Sequence, residues 1–330
     1  MRVLVTGGAG YIGSQTARLL RSAGHEPVVL DTLEHGHAAA ISGIDLVVGS
    51  VADAPLVRGL LTDMRIEAVL HFAALKSVED SVAEPGRYFD ANVGGSAVLL
   101  RAMEAAGVRL FVFSSTCAVY GEPSHVPIDE DAPTRPENPY GESKLLVERM
   151  LPWFEAAGLA SVTLRYFNAA GAQADGACGE DWHKASNLVP VAIRSALGYG
   201  PPLQVFGTDY PTPDGTAIRD YIHVVDLADA HVRALEYLAD GGRPVTLNLG
   251  TGQGSSVRTV IAAVQRAAGR EIDVVEAPRR PGDPAAVWAD PARAATVLGW
   301  RARSGLEEIV GSAVRWHRTH PAGYPAATDA

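Results

Sequence analysis

Tyr140 and Lys144 place a phenol and an amine four residues apart, in the run Tyr-Gly-Glu-Ser-Lys. On a helix this spacing puts both side chains on one face, about one turn apart. An ammonium beside a phenol favours the phenolate and lowers the phenol pKa, so Tyr140 is a candidate general base near neutral pH. Tyr–Lys pairs at this spacing also occur by chance in helices, so the motif depends on its surroundings.

Hydroxyl groups precede this pair in the run Ser114-Ser115-Thr116, which follows the predicted strand Leu110–Ser114. Doubly wound α/β folds bind their ligands at the carboxyl edge of the sheet. Thr116 is therefore predicted to hydrogen-bond both a substrate hydroxyl and the oxygen of Tyr140. Ser114 and Ser115 are equally well explained as partners of the local backbone.

A glycine-rich turn, Gly7-Gly8-Ala9-Gly10-Tyr11-Ile12-Gly13, joins an apolar strand to an amphipathic helix. Glycines permit a tight turn and let the backbone approach a pyrophosphate, whose charge then lies at the helix N-terminus. Asp31 ends the second predicted strand, where a carboxylate accepts hydrogen bonds from the ribose hydroxyls of an adenosine. Because the same carboxylate would repel a 2′-phosphate, the pattern favours NAD over NADP.

The elements that must position these residues alternate between strand and helix through the first half of the chain, as in a parallel sheet covered by helices. The predicted strands are Arg2–Thr6, Pro27–Leu30, Leu46–Val48, Ala68–Phe72, Leu110–Ser114 and Ser161–Arg165, with helices at Gly13–Ala23, Tyr88–Ala106 and Tyr140–Ala157. We expect a doubly wound parallel sheet with an NAD-binding domain over residues 1–167.

The second half has a different pattern, with long loops predicted at Ala169–Ser186, Gly207–Thr216 and Arg279–Pro284. Helices are predicted at Val225–Leu238 and Val257–Ala268, and strands at Thr246–Leu249 and Ile272–Val275. We expect residues 168–330 to form a smaller α/β substrate-binding domain, with some segments returning to the first domain.

The composition narrows the classes of partner. A formal charge of −10 disfavours nonspecific binding to nucleic acid or to anionic membranes. Cys117 and Cys178 are the two cysteines, and without a Cys/His cluster no metal site is expected. We expect the two cysteines to be free thiols, and the sequence has no apolar run long enough to cross a bilayer and no signal region. Together these observations predict a cytoplasmic location.

Seven motifs together resemble the UDP-galactose 4-epimerase family of extended short-chain dehydrogenases. They are GGAGYIG (7–13), HFAALKSV (71–78), FSSTCAVYG (113–121), NPYGESK (138–144), LRYFNAAG (164–171), RDYIHVVDLADAH (219–231) and APRRPGD (277–283). The last two are the most specific, and the similarity runs from Met1 to about Tyr324. The resemblance implies a homodimer that uses tightly bound NAD to interconvert UDP-galactose and UDP-glucose.

The resemblance also implies roles for individual residues. Tyr140 is the base, Lys144 tunes it and holds the nicotinamide ribose, and Thr116 stands where the family often has serine. The NAD site comprises Gly7, Gly10, Tyr11, Ile12, Gly13, Asp31, Thr32, His35, Gly36, Val51, Phe72, Ala73, Lys76, Asn92, Thr116, Tyr140, Lys144 and Phe167. The UDP-sugar site comprises Thr116, Tyr140, Asn168, Asn187, Leu188, Phe206, Arg219, Tyr221, Arg280, Asp283 and Val287.

Three departures from the family pattern bear on ligand binding. Ser50 replaces an aspartate that contacts adenine in many relatives, and Ala74 replaces a common glycine. Val287 stands where some relatives carry a tyrosine, which implies room for an N-acetyl group on the sugar.

Other activities on this fold make different demands. A 4,6-dehydratase needs an Asp-Glu pair after the strand-end threonine, where this chain has Cys117 and Ala118. Another NAD-dependent nucleotide-sugar epimerase or a decarboxylase remains open as an alternative. A non-catalytic NAD-sensing regulator is disfavoured, because Tyr140 and Lys144 are both intact.

Overall fold

The computed structural model describes residues 1–280 and 282–325. Its strands are β1 (Arg2–Thr6), β2 (Glu26–Asp31), β3 (Asp45–Val48), β4 (Ala68–His71), β5 (Leu110–Thr116), β6 (Ala160–Tyr166), β7 (Asn168–Ala170), β8 (Leu203–Phe206), β9 (Ile218–Arg219), β10 (Tyr221–His223), β11 (Val245–Leu249), β12 (Ser255–Ser256), β13 (Val274–Ala277) and β14 (Ala286–Val287). Its α-helices are α1 (Tyr11–Ser22), α2 (Ala54–Asp63), α3 (Val78–Ala83), α4 (Pro85–Tyr88), α5 (Gly95–Ala106), α6 (Pro139–Glu155), α7 (Leu188–Ala196), α8 (Val224–Ala239), α9 (Val257–Ala268), α10 (Ala292–Leu298) and α11 (Leu306–Thr319).

Seven strands form the main sheet in the order β11-β6-β5-β4-β1-β2-β3. The pairings from β3 through β6 are all parallel. From β1 the chain continues to β2 on one side and reaches β4 on the other, so the strand order reverses between β1 and β4. Such a reversal opens a crevice at the carboxyl ends of the two strands. The predicted doubly wound α/β fold is confirmed.

Two compact units can be distinguished, and each combines three stretches of chain. The first unit contains Met1–Gly121, Pro133–Tyr166 and Ala228–Leu247, and the second contains Glu122–Ala132, Phe167–Leu227 and Asn248–Ala330, of which residues 281 and 326–330 lie outside the described residues. The predicted domain boundary at residue 167 stays a prediction.

The first unit has its apolar core between the sheet and the helices α2, α5 and α6. Leu4, Val69 and Phe111 supply the sheet side of this core, and each is fully buried. Strands covered by helices are apolar over most of their length, which explains the unbroken run Leu-Phe-Val-Phe of β5. Helix α5 ends at Gly107, whose φ of 74° is a conformation that glycine adopts without strain.

The second unit is built around α7, α9 and α11, which contact one another. Their apolar faces share a core with Leu203, Val205 and Tyr221. Three small sheets accompany them: β10 with β7, β12 with β9 and β14, and β13 with β8.

Several elements differ from the sequence predictions. The helix predicted over Tyr88–Ala106 is interrupted, because a π-helical turn, Phe89–Gly94, separates α4 from α5. The predicted loop Ala169–Ser186 begins inside β7 and contains a 3-10 turn, Trp182–Lys184. Of the predicted loop Arg279–Pro284, residue 281 lies outside the described residues.

Candidate active site

The glycine turn after β1 lies against the segment that leaves β4. A Cβ atom placed on Gly7 would lie 2.6 Å from the backbone nitrogen of Ala73, and one placed on Gly13 would lie 2.3 Å from the carbonyl oxygen of Gly7. Gly7 also has a φ of 68°. Gly10 precedes α1 and has no side chain to cap it, so the first turn of this helix presents backbone amides at the crevice.

Asp31 connects the end of β2 to this turn. Its two carboxylate oxygens accept hydrogen bonds from the backbone amides of Ala9 (3.0 Å) and Leu33 (2.8 Å). Each carboxylate oxygen accepts more than one hydrogen bond, so Asp31 keeps capacity for ribose hydroxyls. Gly36 approaches so closely that a Cβ atom there would lie 2.9 Å from Asp31.

Among the other residues predicted to bind NAD, Val51 and Asn92 are buried and the His35 side chain is exposed. Val51 is buried in the core of the first unit, whereas the His35 side chain is mostly exposed and Thr32 accepts a hydrogen bond from the amide of Glu34. Asn92 is buried, and its amide group bonds to both backbone atoms of Leu75 and to the hydroxyl of Ser143 (2.9 Å). Asn92 therefore holds the segment between Phe72 and Lys76 against α6.

These features fit a dinucleotide. Side chains on Gly7 and Gly13 would collide with the backbone of Ala73 and of the turn itself, and the acidic Asp31 lies at the end of the neighbouring strand. A pyrophosphate at the start of α1 and an adenosine ribose at Asp31 match the donors and acceptors present.

Tyr140 lies in the first turn of α6, which begins where Asn138 accepts a hydrogen bond from the amide of Gly141 (2.8 Å). Pro139 takes the first helical position, where its missing N–H costs no hydrogen bond. Thr116 ends β5, and its hydroxyl lies beside the phenol of Tyr140, where it acts to lower the phenol pKa. The joint role of Thr116 and Tyr140 in binding a substrate hydroxyl stays a prediction.

The electrostatics of Tyr140 differ from the sequence expectation. Burial raises its pKa above the ordinary value for tyrosine, the phenol of Tyr166 adds to this, and only the hydrogen bond from Thr116 opposes it. The predicted lowering of this pKa by Lys144 is wrong for the protein alone, because removing a phenol from water disfavours its anion.

Lys144 is buried one turn further along α6. Its Nζ donates to the carbonyl oxygen of Ser114 at 2.8 Å and lies 5.0 Å from the ring centre of Phe113. Burial lowers the pKa of Lys144 to about 7, and the carboxylate of Glu148 opposes this shift.

Two residues of this site, Tyr166 and His231, were not singled out from the sequence for it. The hydroxyl of Tyr166, at the end of β6, lies 2.5 Å from Ser114 Oγ, and burial raises the pKa of Tyr166 to about 12. His231 of α8 has its ring centre 4.6 Å from that of Phe72 and 6.1 Å from that of Tyr166. Tyr166 and His231 both lie in motifs that resemble the epimerase family, and this was the available signal.

Within the second unit, the structure brings together Arg219, Tyr221, Asp283 and Val287. Arg219 of β9 forms an ion pair with Asp283, and both charges act on the pKa of Tyr221, which burial raises. Val287 of β14 pairs with Arg219 and is 6% exposed. Asp283 was expected to accept hydrogen bonds from ribose hydroxyls. In the structure its carboxylate forms an ion pair with Arg219.

A second group lies at the end of β8. The guanidinium of Arg280 lies 3.9 Å above the ring centre of Phe206. Tyr210 connects the two groups, because its hydroxyl donates to the carbonyl of Asp283 (3.2 Å) while the Arg279 guanidinium lies 4.3 Å from its ring centre. Tyr210 and Arg279 had no predicted role.

The other predicted substrate residues are placed by β7 and α7. Asn168 pairs with Tyr221 and its side chain donates to the carbonyl of Asp220 (3.2 Å). Asn187 immediately precedes α7 and Leu188 is its first residue. Phe167, predicted to bind NAD, is buried and belongs to the second unit.

Asp220 was not predicted and is fully buried beside Arg219. Its carboxylate accepts hydrogen bonds from the amides of Thr251, Gly252 and Ala289 and from the hydroxyl of Thr251. It therefore fixes β9 relative to the strand that carries Val287.

Comparison with known proteins identifies the family. The model of the NAD dependent epimerase/dehydratase family matches residues 3–250. The chain belongs to this family. The matched residues include the glycine turn, Asp31, Thr116, Tyr140 and Lys144.

Individual family members resemble the chain over nearly its whole length. A UDP-glucose 4-epimerase of Halalkalibacterium halodurans is 47% identical over 98% of both chains. A crystal structure of UDP-glucose-4-epimerase from Stenotrophomonas maltophila, with bound NAD and formylated UDP-arabinopyranose, is 46% identical with a TM-score of 0.94, over 98% of this chain and 99% of that one. The enzyme from Bifidobacterium longum, in complex with NAD+ and UDP, is 40% identical with a TM-score of 0.94, over 98% of this chain and all of that one.

In residues 1–280 and 282–325, no helix combines the length and apolar character needed to cross a membrane. The same residues contain no group of three or more His, Cys, Asp or Glu side chains placed to hold a metal ion.

Proposed function

We propose that the protein is a UDP-glucose 4-epimerase, which interconverts UDP-galactose and UDP-glucose with NAD as its cofactor. The observation that carries the proposal is the placement of Tyr140 beside Thr116, one helical turn from Lys144 and at the carboxyl edge of a sheet that carries a dinucleotide turn. The similarity to UDP-glucose 4-epimerases over 98% of the chain supports it.

Tyr140 is the general base of the proposed reaction. NAD, when bound, accepts a hydride from C4 of the sugar and later returns it. Tyr140 takes the proton of the 4-hydroxyl as the C4–H bond breaks, so the alcohol becomes a ketone. After the sugar turns its opposite face to the cofactor, Tyr140 gives the proton back to the re-forming hydroxyl, and the reaction leaves no net oxidation.

The phenolate of Tyr140 needs compensation for its burial. Lys144, when protonated, supplies a positive charge one turn away, and the oxidised nicotinamide ring carries another. Both favour the phenolate over the phenol. Thr116 donates or accepts a hydrogen bond as the proton moves, which keeps the phenol oxygen in place.

Residues of the second unit bind the UDP part of the substrate in this proposal. Arg219 and Arg280 neutralise the diphosphate, and Asp283 accepts hydrogen bonds from the uridine ribose. The Phe206 ring offers an aromatic face to the nucleotide. UDP is common to both epimers, so these contacts hold substrate and product equally while the sugar turns.

The direct test is to incubate the purified protein with UDP-galactose and resolve the two epimers. Formation of UDP-glucose without added NAD is expected. An intact, folded protein that carries NAD yet produces no epimer would refute the proposal.

We also propose that the protein is a homodimer, with α5 and α6 at the shared face. Trp153 of α6 is 80% exposed, and Val78 and Val82 of α3, which contacts α6, are also exposed. Large exposed apolar side chains of this kind mark protein interfaces. Sedimentation should give a dimer at micromolar concentration and a monomer for Trp153→Lys; a wild-type monomer would refute this assignment.

A cytoplasmic location is part of the same proposal. The chain has two cysteines, Cys117 and Cys178, and Cys178 is fully buried. So low a cysteine content, two in 330 residues, is typical of proteins kept in a reducing compartment.

A further inference from the structure

The segment between β7 and α7, residues 171–187, leads directly to Asn187 and Leu188. Its one regular element among the described residues is the 3-10 turn Trp182–Lys184. Because so little of its backbone is in regular structure, its position depends on contacts with other parts of the second unit. We call residues 171–187 the substrate loop.

Helix α11 holds the middle of the substrate loop through two aromatic side chains. Trp316 donates its indole N–H to the carbonyl of Glu180 at 2.9 Å. A Cβ atom on Gly179 would lie 2.4 Å from the Trp316 ring, so the backbone lies directly against the indole. The ring of His317 stacks on Trp182, with centres 4.5 Å apart and planes 4° apart.

Tyr324, which follows the end of α11, also contacts the substrate loop at Gly179. Its hydroxyl donates to the carbonyl of Gly179 at 2.9 Å and accepts from the amide of Gly179 at 3.0 Å. The Sγ of Cys178 lies 3.2 Å from the same hydroxyl. The Tyr324 ring centre is 5.1 Å from that of Trp316, so hydroxyl and ring act on one place in the loop.

The position of the loop is transmitted to α7. Trp182 is buried in the same apolar core as Val189 and Ile193, which lie on α7. Arg194, also on α7, donates to the carbonyl of Trp182 at 3.5 Å. A displacement of Trp182 would therefore disturb the helix that begins at Leu188.

We propose that Tyr324 is a positioning residue for substrate binding: its hydroxyl fixes the substrate loop at Gly179 and thereby places Asn187 and Leu188 for the nucleotide. This inference rests on the proposed function, in which those two residues contact UDP. The contacts of Tyr324 described above are with the substrate loop and Trp316, so we assign it to binding and not to the chemical step.

The kinetic test compares Tyr324→Phe with wild type. The variant keeps the ring against Trp316 and loses the hydroxyl with its two bonds to Gly179. KM for UDP-galactose should therefore rise at least about fivefold, the factor that corresponds to one net hydrogen bond. The value of kcat should stay within about twofold, because bonds that position the substrate loop change binding rather than the barrier. Bound NAD should be unchanged. An unchanged KM would overturn the inference.

Tyr237→Phe is the matched control. The hydroxyl of Tyr237 also bonds to the backbone carbonyl and amide of one residue, Arg243, at 3.1 and 3.0 Å, but both residues belong to the first unit and not to the substrate loop. Its removal should leave KM as in wild type. If both variants raise KM equally, the effect is not specific to the loop and the inference fails.

Limited proteolysis tests the loop without any substrate. Lys184 is the one trypsin site between residues 171 and 187. Tyr324→Phe should speed cleavage after Lys184 about fivefold relative to wild type, whereas Tyr237→Phe should not change the cleavage rate. If Tyr324→Phe and wild type are cleaved at equal rates, the positioning role is overturned, even if the wild type proves inactive on UDP-galactose. Inactivity of the wild type itself refutes the proposed function instead. If Tyr324→Phe fails to fold, Trp316→Phe, which loses the bond to Glu180, should show the same cleavage and KM changes, and their absence overturns the inference.

Discussion

Replacing Glu148 with glutamine should destabilise the first unit strongly. Glu148 and Arg165 are both nearly buried, with side-chain exposures of 8% and 9%. The guanidinium reaches both carboxylate oxygens, with Nε at 3.0 and 3.1 Å, and donates through Nη1 to Tyr120 at 3.0 Å, while Ser115 donates to Glu148 at 2.5 Å. Glu148→Gln leaves the Arg165 charge buried without its carboxylate.

Breaking a buried ion pair on one side costs about 3–5 kcal/mol, because the remaining charge cannot return to water. For a unit of about 150–250 residues, 1 kcal/mol corresponds to about 2–4 °C in melting temperature. The expected drop in Tm is therefore on the order of 6–12 °C at the lower cost, measured by calorimetry on wild type and variant with NAD content matched.

The control removes both charges. In Glu148→Leu/Arg165→Met no buried charge is left unpaired, so at least half of the lost stability should return. A loss below about 1 kcal/mol for Glu148→Gln, or a double variant no more stable than the single one, would contradict the argument that an uncompensated charge is the cause.

The same substitution should change the pH profile of catalysis. Burial holds the pKa of Lys144 at about 7 and the Glu148 carboxylate opposes this, so Glu148→Gln lowers the Lys144 pKa further. Activity requires protonated Lys144, and it therefore falls as pH rises through this pKa. The alkaline limb of kcat/KM should move to lower pH in the variant; an unmoved limb would show that Lys144 does not set it.

Three further predictions concern the proposed reaction. Tyr140→Phe should fold and bind NAD but lose on the order of a hundred- to ten-thousand-fold in kcat, and near-normal turnover would rule Tyr140 out as the base. Protein denatured after purification should release NAD, because a redox-neutral reaction must not lose its cofactor midway, and a nucleotide-free supernatant together with strict dependence on added NAD would contradict this. Wild type should epimerise UDP-N-acetylglucosamine as well as UDP-glucose, whereas Val287→Tyr should reject the N-acetyl sugar, because a well-packed pocket resists expansion; equal rates in both proteins would remove Val287 as the determinant.

The parts of the fold that could be predicted from the sequence are those with local signals. Apolar runs such as that of β5, and Gly107 at the end of α5, mark element positions with little dependence on the rest of the chain. The two-residue strands β9, β12 and β14 have no such signal, since pairing between distant segments creates them.

In the candidate site too, features with a local sequence signal could be predicted, whereas features that depend on the folded chain could not. Tyr140, Lys144 and Thr116 could be predicted because they stand in contiguous motifs beside predicted elements. The raised pKa of Tyr140 could not, because it depends on burial, which no spacing reports. The Arg219–Asp283 pair likewise joins residues 64 positions apart, so it appears only once the chain is folded.

The division of each unit into three stretches has a consequence for synthesis on the ribosome. The first unit acquires its edge strand, β11, only when residue 247 has been made, about 80 residues after β6 ends; at typical elongation rates this takes roughly 4–16 s. During that interval the strand β6, a run of seven residues from Ala160 to Tyr166, is an unpaired edge of a nascent sheet. Unpaired edges recruit strands from other chains, so the emerging polypeptide should depend on chaperones most between the synthesis of β6 and that of β11.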